Sequence, residues 1–309
     1  THGDMTEAQR NHCRTHFVDF YKKHGLPDIP HHECTVCRRV KAQWKVGLSG
    51  VHRIATAPGQ VLCLDALGPI YPPGVHGEQF IIQVTDKFSL HKFMTAIVLP
   101  SEWRSIEPMI AMYYAEINGV STAIEVTGVA KPLHIGILRT DNQPDFKSKE
   151  FLDWLKAANI KAENIVPRDH RQLGIGEQQH GPLLITVTAM LEYAGLPTAF
   201  WTFCAFQYVE ISNRHCRGKD NKAPLQRNEN RPIEDPSGHG LTDRLYTIGC
   251  LCFPPLSHEV RSKFGISGTY CVYLGLADRN GVKGHYCLIM QTGQIIIGSN
   301  GTTFDESKF

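Results

Sequence analysis

The chain has 309 residues, enough for two domains and a small third. With 42% hydrophobic and 20% charged residues, it cannot be a disordered tail or a fibre. No stretch approaches the run of about 18 apolar residues that a membrane span needs, and the start Thr1-His2-Gly3-Asp4 has no basic-then-apolar signal, so neither a membrane protein nor a secreted one is expected. A net charge of +2 argues neither for nor against a nucleic-acid partner, and a first residue other than Met suggests a fragment or a processed product.

Residues 1–45 read as a small helical module. Thr6 and Gln9 form a capping box, and the helix should run to about Lys23, where Gly25 and Pro27 stop it. His12 and His16 then lie one turn apart on one face. Cys34 and Cys37 are the only cysteines with metal-ligand spacing, and His31 and His32 are further nitrogen donors nearby. The other cysteines are scattered through apolar stretches, as at Cys63, Cys204 and Cys271, which suits reduced thiols in an intracellular compartment, nuclear or cytoplasmic.

Five basic residues (Arg38, Arg39, Lys41, Lys45 and Arg53) and no acidic one lie between Arg38 and Leu64, across a linker at 46–60. A second basic stretch, Arg214 to Arg231, has six basic residues against Asp220 and Glu229 and runs into a basic linker at 216–243. Such segments read either as a phosphate-contacting surface or as two solvated linkers.

Between them, 61–215 has an α/β pattern. Strands are expected at Val61–Asp65, Phe80–Thr85 and Met94–Leu99, then a helix capped by Ser101 and running to about Ile117. A strand at Ile135–Leu138, a helix at Lys147–Ala158 and a strand at Ala162–Val166 follow. An amphipathic helix carries Leu183, Leu184, Val187, Met190, Leu191 and Ala194 and ends at Gly195 and Pro197; a last helix is expected over Ala199–Asn213. The order implies a mixed five-stranded sheet with helices packed on it. On the last helix, Trp201 with Phe200, Phe203 and Phe206 reads as a packed face rather than a base-stacking platform. Residues 244–309 hold short strands at Tyr246–Phe253, Tyr270–Leu276, His285–Met290 and Ile295–Gly298, the makings of a small barrel.

Two carboxylates sit where strands are expected to end, Asp65 and Asp141, and a third, Glu177, precedes the amphipathic helix. Carboxylates held rigidly at neighbouring strand ends suit Mg²⁺, which takes oxygen ligands in octahedral geometry. Three of them can hold two ions about 3.5–4 Å apart. Each alone is equally well an ordinary turn or cap residue, and Asp86 and Asp169 are assigned to that class.

The motifs around the three decide between these readings. Asp65-Ala66-Leu67-Gly68-Pro69 resembles the D-x-x-G-P segment of copia-type retrotransposon integrases. Arg139-Thr140-Asp141-Asn142-Gln143-Pro144-Asp145-Phe146 resembles their S/T-D-N-G-x-E-F segment, and Gln172-Leu173-Gly174-Ile175-Gly176-Glu177 their Q-N-G-x-A-E segment. The 35 residues between Asp141 and Glu177 match the D,D-35-E spacing of that class. Further similarity, at Gly195-Leu196-Pro197, Phe200-Trp201, Asn213-Arg214, Gly249-Cys250, Arg261-Ser262-Lys263-Phe264 and Phe304-Asp305-Glu306, covers nearly the whole chain in order. The resemblance implies an RNase H-like core, a helical zinc module before it (Cys34 and Cys37 with His12 and His16) and an SH3-like barrel after it. It also implies a strand transferase and 3′-end processing enzyme using Mg²⁺ or Mn²⁺ on Asp65, Asp141 and Glu177. The partners would be double-stranded DNA and further copies of the chain, with Arg38, Arg39, Lys41, Lys147, Arg168, Arg171 and Arg214 placed to touch phosphates.

The chain departs from that pattern at Gln143, where the family has Gly, and at Asp145, where it has Glu. The family's Glu-Arg-x-Asn-Arg is here Glu177-Gln178-Gln179-His180-Gly181, followed by Pro182. Gly181 and Pro182 disfavour helix, so the helix is expected to begin at Pro182 with Glu177 on a loop. A decayed or domesticated DNA-binding remnant is therefore a second expectation. An RNase H-type nuclease is a third, disfavoured by the Cys pair and the barrel.

Overall fold

The computed structural model describes residues 55–117, 135–140, 143–164, 177–215, 220, 222–229, 244–256, 267–277 and 284–309. The module at 1–45, with Cys34, Cys37, His12 and His16, lies outside these residues, as do Arg38, Arg39, Lys41, Asp141, Arg168 and Arg171.

The chain divides into two compact units. The first is built on strands β1 (Val61–Leu67), β2 (Phe80–Asp86), β3 (Lys92–Ile97), β4 (Ile137–Thr140) and β5 (Lys161–Asn164), in the order β3-β2-β1-β4-β5. The strands β1, β2 and β3 form an antiparallel meander, and β4 and β5 add in parallel through helical crossovers. This is the mixed sheet expected of an RNase H-like core. Its helices are α1 (Ile106–Ile117) and α2 (Lys149–Ala157), and the first turns of α3 (Glu177–Ala194) also belong to this unit, together with residues 212–239.

Alternation along the central strands creates the core. Leu62 and Leu64 on β1, Ile82 and Val84 on β2 and Leu138 on β4 form one buried cluster with Ile106, Ile110 and Tyr113 of α1 and Phe151 and Leu155 of α2. Each such fully buried side chain contributes roughly 1.5–3 kcal/mol relative to exposure. The intervening residues of the same strands (Cys63, Asp65, Gln83, Thr85 and Arg139) are polar or ionisable and therefore lie on the opposite sheet face.

Several boundaries differ from the sequence expectation. β1 continues through Asp65 to Leu67, because the β1–β2 ladder runs on to the pair Leu67↔Ile81. β4 is Ile137–Thr140 rather than Ile135–Leu138: Gly136 and Ile137 donate to the carbonyls of Gly59 and Gln60, and the parallel register starts at Val61↔Ile137. Before α1, the chain forms a 3-10 turn over Pro100–Ser105, with Pro100 at its start and no side-chain cap from Ser101. Helix α2 starts later than expected, at Lys149, because Ser148 takes the cap position and accepts a hydrogen bond from Phe151 N at 3.2 Å. Helix α3 begins at Glu177 and contains Pro182, so Glu177 is not on a loop.

The second unit groups Ile185–Ile211 with the C-terminal strands. Helix α4 (Trp201–Arg214) follows a 3-10 turn at Thr198–Phe200. Trp201 and Phe203 are buried and Phe203 packs edge-on to Tyr286, as expected of a packed face. Strands β6 (Leu251–Phe253), β7 (Cys271–Leu276), β8 (His285–Ile289), β9 (Ile295–Gly298) and β10 (Thr303–Asp305) form an antiparallel sheet in the order β10-β6-β7-β8-β9. β10 was not expected: it has only three residues and no alternating apolar pattern. Cys250, Cys252, Cys271, Cys287 and Tyr273 fill this unit's core, with Tyr246 stacked on Phe304. These cysteines are free thiols.

Candidate metal centre

Asp65 occupies the fifth position of β1, the middle strand of the sheet, and its ladder partner on β2 is Gln83. On the other side, β1 pairs with β4 up to Leu64↔Thr140. The last residue of β4, Thr140, is the one before Asp141 in the chain, and its partner Leu64 is the one before Asp65. Asp141 itself is outside the described residues.

The segment after Asp141 is anchored on both flanks. Gln143 Nε2 donates to the Ala66 carbonyl on β1 at 3.5 Å, so the residue standing where the family has Gly reaches the strand that carries Asp65. Phe146 is buried and packs on Phe151 of α2 at 5.4 Å between ring centroids, which pins the 3-10 turn Asp145–Lys147 to the core. The glycine two residues beyond Ala66 has a steric reason. Gly68 has φ +151°, and a Cβ there would meet Phe80 Cδ1 at 2.5 Å and Gln79 O at 2.7 Å.

Helix α3 supplies the second described group. His180 Nε2 lies 3.3 Å from Asp65 Oδ2, and the two side chains are only 19% and 12% exposed. Leu183, one turn further on, is fully buried and fixes that face of the helix. Glu177 is the first residue of α3, one turn before His180, so its position falls on the same side of the helix. Nothing is described of its side chain.

Around Asp65 the sheet face is polar. Arg139 is buried and pairs with Glu163 on β5 at 3.2 Å. Gln83 Nε2 donates to Thr85 Oγ1 at 3.3 Å. Burial raises the Cys63 thiol above its usual range; the Arg139 and Lys87 charges oppose this, while Asp86 and Asp65 add to it. Cys63 is therefore a neutral neighbour rather than a nucleophile.

A buried carboxylate oxygen with an imidazole nitrogen 3.3 Å away offers donors of the kinds that divalent ions take, so the residues present fit such an ion. Among the described residues no group of three or more His, Cys, Asp or Glu side chains is placed to hold a metal; Asp141 and the Glu177 side chain are not among them. Sequence reasoning assigned no role to His180 beyond a departure from pattern. The available signal was its spacing, three residues after Glu177 on one helix.

Two further expected site residues, Lys147 and Arg214, are described. Lys147 is exposed at the end of its 3-10 turn. Arg214 is half-buried at the last residue of α4, and its charge acts on His91. Asp86 is structural as expected. It is buried and accepts hydrogen bonds from Gly59 N (2.7 Å), Phe88 N (2.8 Å), Ser89 N (2.7 Å) and Ser89 Oγ (3.0 Å), closing the β2–β3 turn.

No family model matches the chain. It is 26% identical over 176 residues to the retrovirus-related Pol polyprotein from transposon RE1 of Arabidopsis thaliana, covering 57% of this chain and 11% of the polyprotein. To that from transposon TNT 1-94 of Nicotiana tabacum it is 25% identical over 176 residues, covering 55% and 12%. The homologues of the chain are thus copia-type, retrovirus-related Pol polyproteins of plant transposons, in line with its motifs, and the chain spans about a tenth of their length. Solved structures similar to it include the simian T-cell lymphotropic virus intasome, with 14% identity, 88% of this chain and 87% of that one covered, and a TM-score of 0.43. Another is the HTLV-2 integrase catalytic core domain in complex with magnesium, with 15% identity, 56% and 98% covered, and a TM-score of 0.37.

Proposed function

We propose that the chain is the integrase region of a copia-type retrotransposon polyprotein, a strand transferase that processes the 3′ ends of element DNA and joins them to a target duplex. The observation that carries this reading is the seat of Asp65: mid-sheet, beside the strand that leads into Asp141, with the first turn of α3 held against it through His180. Homology to retrovirus-related Pol polyproteins supports the same reading.

In this proposal Asp65, Asp141 and Glu177 hold Mg²⁺ or Mn²⁺, which when bound activates the attacking hydroxyl and stabilises the leaving 3′ oxygen. The chain's own residues position the reactants. β1 holds Asp65 in its ladder, β4 ends at Thr140 directly before Asp141 in the chain, and Glu177 begins α3. Rigid placement of this kind, rather than a covalent enzyme intermediate, carries the rate. Lys147, Arg168, Arg171 and Arg214 are proposed to touch phosphates near this centre, and Arg38, Arg39 and Lys41 to do so at a distance. A zinc module at 1–45 on Cys34, Cys37, His12 and His16, an SH3-like barrel at 244–309, assembly as a homo-oligomer on DNA and a nuclear and cytoplasmic location complete the proposal.

The test is strand transfer with Mn²⁺. Asp65→Asn and Glu177→Gln should each reduce end joining to background while leaving DNA affinity within about twofold, since neither removes a phosphate contact. Joining at wild-type level by the Glu177→Gln protein would overturn the assignment. A second reading is favoured by one observation, Pro182 inside α3 four residues after the altered segment begins. In that reading the chain is a decayed or domesticated remnant that binds DNA without chemistry. A wild-type protein that binds DNA and joins no ends selects it.

A further inference from the structure

A centre made only of carboxylates has no use for an imidazole, yet the side chain facing Asp65 is His180. This is also where the chain departs from its resemblance: the residue three after the glutamate is Asn in the family's pattern and His180 here. We propose that His180 is a nitrogen ligand of the ion held by Asp65, making a mixed carboxylate–imidazole centre that prefers Mn²⁺ and later first-row ions to Mg²⁺. The inference rests on the proposed metal-dependent function and adds a donor and a metal preference to it.

The geometry suits two ligands of one ion. With metal–donor bonds of about 2.1 Å, neighbouring donors lie about 3.0 Å apart around an octahedral ion and about 3.4 Å apart around a tetrahedral one. The Oδ2–Nε2 separation of 3.3 Å falls between these values. Both groups are held by rigid elements, Asp65 by ladders on either side of β1 and His180 by the buried Leu183 one turn away. Mg²⁺ keeps an oxygen shell and dehydrates reluctantly. Neutral imidazole is a good ligand for first-row transition ions, so a nitrogen donor here weights the site against Mg²⁺.

The experiment titrates the full chain with Mn²⁺ alone, in the presence of a short DNA duplex. It reads nitrogen hyperfine coupling to bound Mn²⁺ by electron spin echo, and competition by Mg²⁺. The wild type should show nitrogen coupling. His180→Asn, the residue of the family pattern, should lose it and lower the ratio of Mn²⁺ to Mg²⁺ affinity by about tenfold or more; His180→Gln should do the same. Unchanged coupling and an unchanged affinity ratio in these variants overturn the proposal. Asp65→Asn separates the two readings. An ion that depends on Asp65 but carries no His180 nitrogen defeats the ligand assignment alone. A wild type binding no ion that Asp65→Asn removes defeats the proposed function, and this inference with it.

Discussion

His91 shows how burial sets chemistry one residue at a time. It is fully enclosed between the β2–β3 turn, Tyr113 of α1 and Asn228 of helix α5 (Pro224–Glu229). Asn228 Oδ1 accepts from the Tyr113 hydroxyl at 3.1 Å, which turns the amide N–H towards His91 Nδ1, an acceptor only in a neutral ring. Burial, with Arg214's charge adding, lowers the His91 pKa to about 3. The unfolded chain takes up this proton near pH 6.5 and the folded one only near 3. Stability from neutral His91 is therefore intact above about pH 6.5 and falls as the pH drops towards 3, by a few kcal/mol in all. Urea unfolding at pH 7.5 and pH 5 should show this loss in the wild type and a smaller one in His91→Gln; parallel pH dependences would contradict a buried neutral ring. None of this was legible in the sequence, where His91 is one of 16 histidines. Asp65 was legible because a motif surrounds it. His180 was not, because its partner Asp65 lies on a strand more than 100 positions away in the chain.

At the scale of elements, short apolar runs located the five strands of the first sheet, and a cap and one-sided apolar residues located both helices on its apolar face. What these signals missed was register. Ile135 is buried and strand-like, but whether the strand pairs there depends on where β1 begins, and the ladder starts only at Val61↔Ile137. That shift of two residues moves the end of β4 from Leu138 to Thr140, directly before Asp141. Helix α3 is the opposite failure. Gly181 and Pro182 argued locally for a start at Pro182, yet the helix runs from Glu177, with Leu183 buried and His180 in contact with Asp65. Tertiary contact has overridden propensity at a cost. A Cβ at Gly181 would meet nothing within 4 Å, so Gly181→Ala should stabilise the protein by about 0.5–1 kcal/mol, read as a raised urea midpoint with unchanged slope. Destabilisation would mean that residue 181 is not helical in solution.

At the scale of the whole molecule, the division into two units follows from where apolar surface is available. The first sheet buries one face under α1 and α2, while residues 185–211 join the C-terminal sheet, with Phe203 on Tyr286 and Gln207 Nε2 donating to the Tyr246 carbonyl at 3.2 Å. Sequence reading counted these helices with the first sheet, over 61–215, although their apolar residues suit either partner; the contacts group residues 185–211 with the C-terminal strands. Charge was harder still to read. A net +2 conceals the basic stretch at 38–53, and whether such a stretch meets phosphate is a question of measured salt dependence. A side chain on a phosphate releases a condensed counterion, so log affinity for duplex DNA falls against log salt with a slope of about −0.9 per contact. Changing Arg38, Arg39 and Lys41 together to Gln should therefore flatten that slope by about 2–3 and weaken binding evenly across DNA sequences. Asp65→Asn should leave the slope where it is, because Asp65 contacts no phosphate directly. If the triple variant keeps the wild-type slope, these side chains are solvated and the DNA-binding surface must be sought elsewhere on the chain.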